Sequence, residues 1–390
     1  MKNNLTYHPV NWVDGMKINK DHFIAQDNAT RNAFFDASSL SLSPVRFGIL
    51  PALTDNDDNY NVRIVMDNQN TVRANIVACR AITRSGVRIQ IPSLNQSGLS
   101  TSDEVPAVSF TFSPGAQESA HWVVLMAHPY DRQAAGQPIP GENPPRLPFV
   151  IPTYEIQILS DTQYRQLNQH PNALTIGKIL VNGHDIKVDD GYIPPCISIA
   201  AHPDLMSLHA ELDAFLSNIE IKCSLIVQKI FKKSQQNELS DLVLFLCDRM
   251  ILFLSQVITT LRWRLMHESP AELFALVASM ARVMKNSIDL RIGSGKDELL
   301  NYFSEWCELS QGEWESMLSN LAVMRYDHND VNHNIGQIAR FVRICGKLFD
   351  TLSTLEFIGK RKESGIFVKE EREPEVTPSG QKPKRRFFGG

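Results

Sequence analysis

Gly191-Tyr-Ile-Pro-Pro-Cys196, running on through Ile197-Ser-Ile-Ala-Ala-His202 to Pro203, marks the place where this chain changes texture. Before it, short runs alternate between apolar and polar residues: Val62-Arg-Ile-Val-Met66, Gly86-Val-Arg-Ile-Gln-Ile91 and Val108-Ser-Phe-Thr-Phe112. Such period-two patterns fit strands with one buried face, and the apolar run Trp122-Val-Val-Leu-Met126 fits a strand buried on both. Turn residues separate the runs, and Asn182-Gly183 gives the strongest hairpin signal because both residues tolerate positive φ. With no helical pattern interleaved, the segment predicts an antiparallel β-sandwich. A proline-rich stretch from Gln133 to Pro152 reads as an exposed loop.

Beyond Pro203 the period changes to that of a helix. Leu205, Leu208, Leu212, Phe215, Leu216, Ile219, Cys223, Ile226, Val227 and Ile230 recur at three- and four-residue steps and make one apolar stripe. Further helices are predicted from about Ser240 to Met266, from Ser269-Pro-Ala-Glu272 onward, over 297–309 and 313–324, and from Val331 to Phe357. Ser269 is placed to cap the third of these in a box with Glu272. Amphipathic helices joined in this way bury their stripes against one another in a bundle. Pro194 and Pro195 fix φ and lack an N–H, so Tyr192, Ile193, Pro194 and Pro195 read as a stiff junction between domains. The expected fold class is α+β multidomain: an arm over 1–30, a β-sandwich over 31–200, a helical bundle over 201–359 and a basic flexible tail over 360–390.

Composition narrows the function. At 390 residues, 43% hydrophobic, 21% charged and with a net charge of −4, the chain gives no cause to expect nucleic-acid or membrane-surface binding. Its six cysteines stand far apart without a CxxC pair, which argues against a disulfide framework or a zinc site and for a reducing, cytoplasmic setting. No signal-peptide core follows Met1, and the apolar run from Leu242 to Leu254 is interrupted by Asp248 and Arg249, so no membrane insertion is expected.

Three candidates for chemistry fail on spacing. Arg291-Ile-Gly-Ser-Gly-Lys296 resembles a phosphate loop, but Leu290 and Asp297 stand where that loop needs Gly and Ser or Thr. His328 and His333 bracket an Asn/Asp-rich patch at a spacing that does not align two imidazoles on a helix; a polar helix start is the better account. No GxSxG elbow is present. The chain is therefore read as a non-enzyme, with no catalytic or metal residue and no cofactor.

Two ends of the chain carry features suited to docking. Trp12, Met16 and Phe23 sit among polar residues in the arm, as anchors for a partner or as ordinary core. Lys384-Arg-Arg-Phe-Phe388 joins cations to paired aromatics, so Lys384, Arg385, Arg386, Phe387 and Phe388 form either a docking peptide or a solvated end.

Val10-Asn-Trp-Val-Asp-Gly-Met16, followed by His22-Phe23 and Gln26, resembles the start of TssK-family baseplate subunits of bacterial type VI secretion, with Ile24 in the place of a customary glutamine. Gly191-Tyr-Ile-Pro-Pro-Cys196 resembles the junction of the same family, and the order of parts agrees over roughly residues 1–330. The resemblance implies a homotrimer whose β-domain is like the shoulder of a phage receptor-binding protein. It implies docking onto the wedge proteins TssF and TssG, with Trp12, Asp14, Gly15, Met16, His22, Phe23 and Gln26 as interface candidates. TssK-like chains carry a further C-terminal head that contacts a membrane complex; the residues after 359 are too few for one, so the tail's partner, a membrane complex or another, stays open. A phage-like tail baseplate or receptor-binding protein is the alternative function.

Overall fold

The structure is a computed structural model that describes residues 7–54, 58–91, 106–112, 116–136, 138–167, 170–183, 185–307, 309–359 and 385–388. The chain forms two compact units. One comprises residues up to His202 together with His328–Val331; the other comprises Pro203–Asp327 and Asn332 onward.

The first unit is a two-sheet β structure with a helix on it. Its first sheet is organised on β3 (Thr71–Ile82), which pairs antiparallel with β1 (Gly48–Ile49), β2 (Tyr60–Met66), β4 (Arg88–Ile91) and β5 (Ala107–Thr111). Val72, Ala74, Ile76 and Ala78 of β3 are buried at alternate positions, as a pleated strand with one core face requires. The second sheet runs β7 (Phe149–Ser160), β6 (Ala116–Ala135), β8 (Ala173–Gly183), β9 (Asp185–Val188). The sheets meet through side chains: the Tyr60 hydroxyl donates to the Ile176 carbonyl at 2.7 Å, and Tyr154 Oη accepts from the Gln90 N–H at 3.2 Å. Gly177 lies at this contact, where a Cβ would stand 2.3 Å from Ile64 Cδ1 and push that side chain aside.

Several expectations shift by a few residues or more. The β8–β9 hairpin forms, but Asn182 pairs with Asp185, so the turn lies one residue later than an Asn182-Gly183 centre; His184 is outside the described residues. The proline-rich stretch is shorter as a loop, since Ala135 pairs with Phe149 and Arg132 with Pro152 on edge strand β7, where a missing N–H is tolerated. Two helices interrupt the β region: α1 (Lys20–Ser39) and α2 (Asp161–Leu167). Helix α1 passes straight through residue 30, where the sequence pattern divides arm from sandwich.

The second unit contains α3 (Pro203–Lys232), α4 (Glu238–Trp263), α5 (Ala271–Asp289), α6 (Lys296–Cys307), α7 (Gln311–Ala322) and α8 (Val331–Thr354). The stripe read on α3 is mostly its buried face, with Phe215 and Val227 half-buried at the margin and His209 buried among the apolar residues. On α8, Ile335, Ile338, Phe341, Val342, Cys345, Leu348, Phe349 and Leu352 are all buried. Lys229 of α3 donates to the carbonyls of Ser353 and Leu355, satisfying acceptors at the end of α8. At α5 the Ser269 hydroxyl accepts from the Ala271 N–H at 3.3 Å, and the Ser269 carbonyl accepts from the Glu272 N–H at 3.0 Å. Among the described residues α4 is the one helix long and apolar enough to cross a membrane; its Leu242, Val243, Leu246, Met250 and Leu254 are buried in the bundle.

The Gly-rich segment before Lys296 is a turn between α5 and α6, and Lys296 pairs with Asp289 at 2.9 Å and Glu315 at 2.7 Å. His328 does not lie in a polar helix start. It is 3% exposed in the first unit, where its Nε2 meets the Phe47 carbonyl at 2.9 Å and its ring lies edge-on to Phe47.

Candidate functional site

The arm residues gather around the start of α1. Gly15, at φ +78°, makes the turn that sends the chain back toward the helix, with open space where a Cβ would be. Asn19 then caps α1: its side chain accepts from the N–H groups of Asp21 and His22, while His22 Nδ1 accepts from the Asn19 N–H at 3.2 Å. Gln26 Oε1 accepts from the Val10 N–H at 3.1 Å and so ties the incoming strand to the helix. The result brings Trp12 within 6.1 Å of His22 and 6.2 Å of Phe23, ring centre to ring centre. Both aromatics remain open to solvent, Trp12 at 47% and Phe23 at 62%, and Val13, Ile18 and Phe34 are exposed as well. Asp14 is exposed and Met16 half-buried.

Helix α1 is fastened to the sandwich on its other side. Asp27 receives Arg31 at 3.1 Å and Arg132 at 2.7 Å, Arg31 donates to the Pro129 carbonyl at 2.8 Å, and Tyr130 bonds Asn32. Arg132 follows an interruption in the β6–β7 register after His128, which is what frees it to reach the helix. Tyr7 and Phe35 flank the Tyr130 ring. Phe23 therefore stands on a braced helix with Trp12 beside it in the preceding segment, while Gln26 ties that segment to the helix.

The Tyr192–Pro195 segment is built into the core of the first unit. All four residues are buried. The Pro195 carbonyl accepts from the Ile49 N–H at 2.8 Å, and Ile197 N–H returns to the Ile49 carbonyl at 3.0 Å, so the segment extends the sheet alongside β1. Gly48, at φ +110°, is forced by this approach, since a Cβ would fall 2.0 Å from the Pro195 oxygen. Tyr192 lies edge-on to Trp122, which stacks on Tyr164 at 4.6 Å, and its hydroxyl donates to the Asn329 carbonyl at 2.7 Å. Asp330 pairs with Lys178 at 2.5 Å in a nearly closed setting, and Lys178 lies over the Trp122 ring. These contacts of His328–Val331 link residues more than a hundred positions apart, and no local pattern announces them.

At the other end Lys384 lies outside the described residues. Arg386 is exposed; Arg385, Phe387 and Phe388 are half-buried on α3.

The described residues hold no group of three or more His, Cys, Asp or Glu side chains placed to bind a metal. None of the six cysteines forms a disulfide, and all are buried. Burial raises the Cys79 thiol to about 12 and also raises those of Cys196, Cys223 and Cys345, the opposite of what a thiolate nucleophile needs.

A β-sandwich unit followed by a helical bundle, with a braced aromatic arm, defines a multidomain α+β protein. Residues 152–285 match the family described as T6SS_VasE, bacterial type VI secretion, VC_A0110, EvfL, ImpJ, VasE. The match covers part of the chain, from strand β7 into helix α5, and is a likeness to bacterial type VI secretion proteins. Among solved structures it is similar to the crystal structure of TssK, at 14% identity and TM-score 0.49, covering 90% of this chain and 70% of that one. It is also similar to a chain of the TssK-TssF-TssG baseplate subcomplex seen by cryo-electron microscopy, at 13% identity and TM-score 0.43, over 90% and 99% of the two chains. A chain of the baseplate complex from the type VI secretion system aligns at 11% identity and TM-score 0.49, over 88% and 100%. No curated protein sequence matches the chain.

Proposed function

We propose that this chain is a non-enzymatic structural subunit of a type VI secretion baseplate, working as a homotrimer on the cytoplasmic side and docking onto TssF- and TssG-like wedge proteins through its arm. The observation that carries the reading is the pair Trp12 and Phe23, exposed side by side, Phe23 on helix α1, which is held from behind, and Trp12 in the segment that leads into it. Aromatics that lose little conformational freedom on binding make efficient anchors. Asp14, Gly15, Met16 and His22 shape the same surface, and Gln26 holds it. The Tyr192–Pro195 segment supplies a stiff base from which the chain passes to the bundle. Ile221 and Leu225 of α3 and Leu252 of α4 are exposed apolar side chains on the bundle, of the kind that symmetric copies cover. The match of residues 152–285 to a type VI secretion family and the two motifs of the arm and junction support the assignment.

Co-purification of the full chain with the TssF- and TssG-like products of its own system, alongside a mass measurement in solution, tests the proposal. A trimer that retains the wedge proteins is expected, and a monomer that retains neither would overturn it.

A further inference from the structure

The outer face of α3 carries an occupied site. Asp204 and Glu211 are seven residues apart, two helical turns, so they lie on one face about 10 Å from each other along the axis. The described residues near the C-terminus span that interval. Arg385 reaches Asp204 at 3.4 Å, and the consecutive N–H groups of Phe387 and Phe388 both point at Glu211. Phe387 N–H donates to the two carboxylate oxygens at 2.8 and 2.9 Å, and Phe388 N–H donates at 2.8 Å. A carboxylate that collects two successive backbone donors makes charge-assisted bonds, stronger than neutral ones and demanding of backbone shape. The Arg385 guanidinium also lies 5.0 Å from the centre of the Phe387 ring, which fixes the cation relative to the aromatic. Charge, backbone and rings thus fit one ligand pattern: a cation, one intervening residue, then two aromatics with free N–H groups.

We propose that Asp204 and Glu211 form a docking site for a basic–aromatic peptide, and that the chain's own Arg385–Phe388 segment occupies it as a removable latch. The peptide's charge is read by Asp204 and its backbone by Glu211. Since backbone amides are common to all sequences, Glu211 sets geometry and Asp204 with the rings sets selectivity. A partner presenting the same pattern would displace the segment and leave its two phenylalanines available.

The test is peptide-resolved hydrogen exchange on the full chain. The Phe387 and Phe388 amides should exchange at least about tenfold more slowly than in a free peptide of the same sequence. Glu211→Ala should bring them to the free rate while leaving the α5 amides unchanged. Asp204→Arg should lower the protection, and the double variant Asp204→Arg with Arg385→Asp should restore it. An excess of synthetic Lys-Arg-Arg-Phe-Phe peptide should release the segment. Free-rate exchange in the wild type, or full protection in Glu211→Ala, would overturn the site. Protection that disappears on dilution would overturn own-chain occupancy and assign the segment to a neighbouring copy.

Discussion

Replacing His328 with Gln tests how the His328–Val331 segment stabilises the sandwich. The ring is enclosed beside Phe47, and its Nε2–H donates to the Phe47 carbonyl, so the imidazole is held neutral. Burial is the main cause of its lowered pKa, about 4 in place of 6.5; the Phe47 carbonyl, which favours a proton, opposes the shift only partly. The unfolded chain therefore binds a proton between those values that the folded chain refuses. Stability contributed by the buried neutral ring is fully present above about pH 6.5 and is lost as the pH falls toward 4. Going from pH 7 to pH 5 crosses most of this window, and linkage gives a loss of about 2 kcal/mol. His121 and His170 of the same unit are also lowered by burial, so the wild-type loss alone is not diagnostic. The difference between wild type and His328→Gln is. Glutamine can keep a donor for the Phe47 carbonyl but cannot titrate. Glu313 and Asp289 are likewise held below their ordinary values, but they belong to the bundle and their stabilisation falls away in more acid solution. Urea unfolding followed by amide exchange in β3 reads the sandwich separately. Equal pH dependence in wild type and variant would refute the assignment of a neutral, enclosed His328.

Three other perturbations follow from single contacts. Asp330→Ala leaves Lys178 without its close carboxylate in an almost closed setting, and should cost the sandwich about 3 kcal/mol in denaturant unfolding. Gly48→Ala sets a Cβ against the Pro195 carbonyl at a positive φ; a similar cost should appear as a fall of roughly 6–12 °C in the melting temperature of that unit. The six thiols should resist an aromatic disulfide reagent at pH 8 in the native protein and all react after unfolding, because burial denies access to every one and also suppresses ionisation of Cys79, Cys196, Cys223 and Cys345.

Much of the architecture was legible because it is written in local periods. Alternation in β3 and the three-and-four stripe of α3 are strong enough to survive without context, and Tyr192–Pro195 announces a change of texture by its prolines. Helix α1 is different. Its apolar residues Phe23, Ile24, Phe34 and Phe35 make no continuous stripe, and within it only Asn28 and Ala29 are buried. What fixes it is the Asn19–His22 cap and the Arg132–Asp27 pair, the second a contact across 105 positions. Long-range polar contacts also explain why His328 reads as part of a polar helix start although it is a core residue. The same holds for Asp204 and Glu211, which in sequence are two carboxylates on the polar side of an amphipathic helix. The arm's motif marks Trp12 and Phe23 as candidates, but their exposure comes from the turn at Gly15 and the brace behind α1.

The most direct test of the proposed role is a pull-down with the full chain and the TssF- and TssG-like proteins of its own system, comparing wild type with the double variant Trp12→Ala, Phe23→Ala. Both side chains are exposed, so the variant should fold with an unchanged melting temperature. Loss of two central aromatic anchors should weaken binding by at least about 2 kcal/mol, roughly thirtyfold in Kd. Wedge proteins retained by the wild type and lost from the folded variant are the predicted result; equal retention by both would contradict docking through the arm.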